Sequence, residues 1–167
     1  MFIYHKNPTW QPSIGFGAIA LAGAFTLFEF LQKTQHDRYE SAGRFIERWN
    51  EPDIQDVRLQ LREILTDALV LEPLIRRSEH DQFTPGQKTA RGQVIAVMNF
   101  FEEMAIAVHT QRVDERYLYS YFGETVRQVK IKLEAWIIAD RRFGHKSYWC
   151  EFEQLAGRWD SGIPWWI

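Results

Sequence analysis

The sequence predicts an all-α protein: a single N-terminal transmembrane helix followed by a four- or five-helix cytoplasmic bundle. Three observations carry this. Residues 14–31, IGFGAIALAGAFTLFEFL, are apolar, small or threonine at every position except Glu29. Beyond them, apolar residues recur at helical spacing. Nowhere does the chain show strand alternation, a hairpin signature or an internal repeat. The division that follows is a short extracytoplasmic N-terminus (1–13), the span (14–31), the bundle (32–159) and an aromatic tail (160–167).

Composition bounds the class. A chain of 167 residues suits one domain, or a smaller domain with a membrane segment. Twenty basic and 22 acidic residues leave a formal charge of −2, without the basic excess expected of a nucleic-acid-binding protein. One cysteine cannot form an internal disulfide. A mean hydropathy of −0.35 is too polar for a polytopic membrane protein. Aromatic residues stand out at 15%, with seven tryptophans.

The N-terminal run, as an eighteen-residue helix, would be about 27 Å long, near the thickness of a bilayer's hydrocarbon core. Tyr4 and Trp10 precede it and suit a headgroup-level contact. Pro12 and Ser13 suit a helix start. A cleaved signal is disfavoured because the run stays apolar through Phe25, Leu27, Phe28, Phe30 and Leu31. The match of Gly15-Phe16-Gly17-Ala18-Ile19-Ala20 to a dinucleotide fingerprint is rejected, since Pro8 and Pro12 occupy the place of the required strand. Lys6 before the run, against Lys33, Arg38, Arg44 and Arg48 after it, places the C-terminal body in the cytoplasm of an inner-membrane protein. Gly15, Ala18, Ala22 and Gly23 form the small-residue surface on which another transmembrane helix could pack. Glu29 precedes Lys33 by four, the favourable order for a helical pair near the interface.

From Gln32 to Trp49 the chain turns polar without a proline, consistent with one long helix ended by Asn50-Glu51-Pro52. Asp53 caps a second helix with Ile54, Val57, Leu61, Ile64, Leu65 and Ala68 on one face, closed by Pro73. Residues 76–83 read as a polar loop. Thr84-Pro85 reads as N-cap and first position of a third helix, whose stripe holds Val94, Val97, Met98, Phe101, Met104, Ala105 and Val108. A fourth helix starts at Val113-Asp114-Glu115 and ends at Gly144, with Gly123 marking a kink or a break. A short fifth runs from Ser147 to Arg158.

Several of these segments, RFIERWN, VMNFFEEMAIAV, DERYLYSYFGETV and SYWCEFEQLAGRW, occur in an order that resembles DUF4760, a bacterial family of unknown function. The resemblance covers Arg44 to Trp159; its most distinctive pieces are Asn99-Phe100-Phe101-Glu102-Glu103 and Tyr121-Phe122-Gly123. It implies a small helical protein, often with one N-terminal span, and carries no catalytic residue to transfer.

Chemistry is not legible in the residues. Glu102 and Glu103 point about 100° apart on a helix and cannot jointly hold a metal without ligands from other elements. Glu102, at the edge of the buried stripe, reads as a polar contact that fixes helix register, partnered by an arginine or tyrosine of a facing helix. Neither Glu-x-x-His pairs nor any P-loop, zincin, nucleophile-elbow or EF-hand pattern is present. The five histidines are scattered and none lies in the apolar run, with His36 nearest to it as a pigment or lipid contact. Cys150 reads as a small packing residue. Arg141, Arg142 and Lys146 could touch anionic lipid.

The functional expectation is therefore a non-enzymatic accessory or structural subunit of a larger membrane assembly, with no cofactor and no metal. Its partners would be membrane lipid and other membrane protein subunits or itself, not nucleic acid. Contact would fall on Tyr4, Trp10, Trp165 and Trp166. The alternatives are an accessory subunit of a photosynthetic or respiratory complex that shields pigment, quinone or lipid, and a self-oligomerising membrane effector or sensor.

Overall fold

The computed structural model describes residues 11–66, 68–76 and 83–162. Among the described residues six α-helices follow one another: α1 (Gln11–Trp49), α2 (Pro52–Thr66), α3 (Ala68–Arg76), α4 (Pro85–His109), α5 (Glu115–Phe143) and α6 (Cys150–Asp160). The chain divides into two units, residues 1–37 and 38–167, and the α1 helix runs through the boundary.

Among the described residues, no helix is long and apolar enough to cross a membrane. This corrects the expected span at residues 14–31 and, with it, the single-pass inner-membrane placement with the N-terminus outside. Where side-chain surroundings are described, the apolar stretch of α1 is residues 21–31. Glu29 interrupts it, and Gln32, Lys33 and Gln35 follow it within the same helix.

The first unit, so far as it is described, is the helix of residues 11–37. Its Thr26 and Thr34 hydroxyls donate back to the carbonyls of Ala22 (2.9 Å) and Phe30 (2.8 Å), so the apolar stretch carries no unsatisfied hydroxyl.

In the second unit, residues 38–49 of α1 pack on α4 and α5. Tyr39 stacks on Tyr117 with ring centres 4.2 Å apart. Arg38 takes part at both ends of its own residue: its carbonyl accepts from the Asp114 amide at 3.0 Å, and its guanidinium donates to the Val113 carbonyl. Asn50 closes α1 by donating to the Ile46 carbonyl at 2.8 Å and is held by the Tyr121 hydroxyl. Pro52 then occupies the first position of α2, where a missing N–H costs nothing.

The core is aromatic at its centre. Trp49 meets Phe100, Phe101 and Phe122 at centroid distances of 4.9, 5.2 and 5.6 Å, and Phe101 meets Phe152 of α6 at 5.8 Å. Such tilted and edge-on pairs add about 0.5–1.5 kcal/mol each beyond burial. The stripe expected on the third helix, from Val94 through Val108, is buried on α4. Thr84 caps that helix in a reciprocal capping box with Gln87.

Three element boundaries differ from expectation. Pro73 lies inside α3 rather than closing a helix. The α5 helix passes through Gly123 without a break; there a Cβ would come within 3.2 Å of the Tyr119 ring, so glycine admits a close side chain rather than a bend. The last helix begins at Cys150, after Trp149 adopts a left-handed conformation at φ 63°.

Candidate functional site

The surface that stands out is on α1. Leu21, Phe25, Leu27, Phe28, Phe30 and Leu31 are all more than half exposed, from 53% to 74%. Isolated exposed apolar residues are ordinary; a contiguous set on one helix marks an interaction surface. Within it, Leu21, Ala24, Phe28 and Leu31 are spaced 3–4–3, the seam by which one helix packs along another. Ala22 and Gly23 are exposed beside it, and a Cβ at Gly23 would meet nothing within 4 Å. Gly15 and Ala18 lie in the helical part of α1, but their side-chain surroundings are outside the described residues. Tyr4, Trp10, Trp165 and Trp166 also lie outside them.

Elsewhere, polar side chains are engaged in holding helices together. Glu102 of α4 accepts hydrogen bonds from the backbone amides of Phe152 at 2.7 Å and Glu151 at 3.4 Å. Trp149, the residue preceding α6, offers no side-chain cap, so Glu102 satisfies the amides of the first turn from a neighbouring helix. Its partners are thus amides, where an arginine or tyrosine side chain was expected. Burial raises the Glu102 carboxyl above its usual 4.5; the two amides and Arg141 pull it back down.

The same helix is tied elsewhere along its length. His109 pairs with Glu151, and Arg141 pairs with Glu153 while donating to the Tyr148 carbonyl at 2.6 Å. Asp140 accepts from Arg91 at 2.8 Å and from the Trp149 indole at 3.2 Å. Near the C-terminal end, Glu115 accepts from the Trp159 indole at 2.9 Å. Arg158 Nη2 lies 2.8 Å from the same carboxylate, but its N–H is not aligned for a hydrogen bond, so that contact is Coulombic.

Several of these ties join residues 42 to 50 apart in sequence, as with His109–Glu151 and Glu102–Phe152. No local spacing signals such a pair. Glu103, adjacent to Glu102, faces elsewhere and pairs with Arg48 at 2.7 Å. Arg141, considered above as a lipid contact, is engaged with Glu153 and Tyr148. Among the described residues, no three His, Cys, Asp or Glu side chains are gathered as a metal would require.

The profile of the domain-of-unknown-function family DUF4760 matches residues 16–159. The chain belongs to this family. The match begins earlier than the resemblance at Arg44 suggested, so the DUF4760 domain includes most of the apolar run of α1 as well as the helices that follow it in the chain. No curated protein and no solved structure matches the chain.

Proposed function

We propose that this DUF4760 protein is a non-enzymatic accessory or structural subunit that works through protein contact, made by the apolar stretch of α1 with a second copy or with another subunit. The observation that carries the reading is the set of exposed large apolar side chains at residues 21–31. A helix with that much apolar surface gains by covering it: burying a leucine or phenylalanine side chain contributes about 1.5–3 kcal/mol. The 3–4–3 seam gives the contact a helical partner geometry. The ion pairs and hydrogen bonds of the second unit support the same reading, because Glu102, Asp140, Glu115 and Arg91 are engaged in helix-to-helix contacts.

The test is the mass of the purified full chain by light scattering and crosslinking, compared with a Leu21→Glu/Phe28→Glu variant. Both positions are exposed, so the bundle should keep its helicity. Assemblies in the parent and monomers in the variant are expected. An assembly unchanged in the variant would refute the reading. So would a monomeric parent that partitions into lipid vesicles.

A further inference from the structure

A second surface, confined to residues 38–167, has a different chemistry. Between α2 and α5, against the end of α1, lies a cavity of about 360 Å³. That is within the size range of small-molecule sites. Its floor is apolar: Trp49, Leu61 and Val129 are 4–5% exposed, and Leu65 is half-buried beside them. Among the described residues, its charged lining consists of Arg58, Arg62 and Lys132, without a carboxylate.

This sorting is not what composition would produce, since acidic residues outnumber basic ones in the chain. Elsewhere in the same unit, Arg48, Arg91, Arg127 and Arg141 each meet an aspartate or glutamate. Among the described residues, none of the three cavity cations has such a partner.

Arg58 is also held in place. Its guanidinium carbon sits 4.7 Å from the centre of the Trp49 ring, and its Nη1 donates to the Trp49 carbonyl at 3.1 Å. Cation–π stacking and one hydrogen bond hold the fork, and among the described residues Nε and Nη2 have no acceptor. A guanidinium fixed in this way binds an oxyanion at little entropic cost, because the side chain is ordered beforehand.

We propose that this cavity binds a small amphipathic anion: an acyl or alkyl chain on the floor of Trp49, Leu61, Leu65 and Val129, and a carboxylate or phosphate head among Arg58, Arg62 and Lys132. The floor accounts for the apolar body of the ligand. The three cations account for its charge, and the Arg58 fork suits the paired oxygens that carboxylate and phosphate share. The site lies on other residues than the α1 surface, and either can fail without the other.

The experiment is a titration of the isotope-labelled full chain with decanoate, decyl phosphate and neutral decanol, followed by amide and indole resonances. One or both anions should shift the Trp49 indole and the amides of Leu61, Leu65 and Val129, and binding should weaken as salt is raised. A Arg62→Glu/Lys132→Glu variant, altered at two exposed positions, should keep its helical content and bind the anions about tenfold more weakly, since two attractions become repulsions. Undiminished binding by that variant would overturn the proposal. Equal binding of decanol, shifts confined to residues 21–31, or no shift with either anion at millimolar concentration would do so as well.

Discussion

Glu102 offers the sharpest test of the physics, because two opposing effects act on one carboxylate. The α6 amides at 2.7 and 3.4 Å favour the charged form, while burial disfavours it, and burial is the larger. Truncation by Glu102→Ala removes the acceptor from both amides. The shorter bond, at 2.7 Å, carries most of the interaction, so the loss should resemble that of a helix cap, about 1 kcal/mol. In a chain of this size that corresponds to a fall in Tm of about 2–4 °C. Glu102→Gln keeps an acceptor oxygen and should cost less.

The sign of the pH dependence follows from the raised carboxyl. A group that binds its proton more tightly when folded contributes stability that is fully present below the unfolded value, near 4.5. That contribution is lost as pH rises through the folded value. Glutamine has no such dependence. Urea unfolding of the parent and Glu102→Gln across this range should therefore show the parent at its best relative advantage in acid, with the advantage shrinking toward neutral pH. An advantage that instead grows toward neutral pH would mean that the amides and the helix dipole outweigh burial, and would refute the reasoning.

Other substitutions probe other parts of the fold. Phe101→Ala, in the fully buried aromatic centre, should cost about 3–5 kcal/mol in urea unfolding. Thr84→Ala removes the capping box of α4 and should lower stability by about 1 kcal/mol, with the fraying visible as faster amide exchange in the first turn. Arg44→Ala breaks only an exposed pair with Glu40, so its effect should stay below about 0.5 kcal/mol. Gly162→Ala places a side chain at φ 81° and should cost about 1 kcal/mol, measurable as a small drop in Tm.

The helices that the sequence marked most clearly are those with chemical punctuation. Thr84-Pro85, Asp114 and Gly144 act locally, through a cap, a fixed φ or a chain reversal, and each sits at a helix end in the structure. Pro73 and Gly123 misled because the same residue types also occur within helices, where neighbouring side chains decide the outcome. For Gly123 that neighbour is Tyr119. The apolar run was legible as a helix but not as to what it does: composition over eighteen residues suggested a span, whereas the described helices include none long and apolar enough to cross a membrane.

What the sequence determined by itself was therefore local: an all-helical chain, the buried stripe of α4, most helix ends, and membership in a family recognisable from short aromatic and acidic segments. The tertiary structure alone decided which polar groups meet. Glu102 reaches the amides of α6, Asp140 joins Arg91 to Trp149, and Arg58 settles on Trp49 above a floor drawn from three helices. Helical periodicity tells which side of a helix is apolar, but it holds no record of which other helix that side will face. Contacts between residues some 50 positions apart depend on that choice, and so does the cavity between α2 and α5.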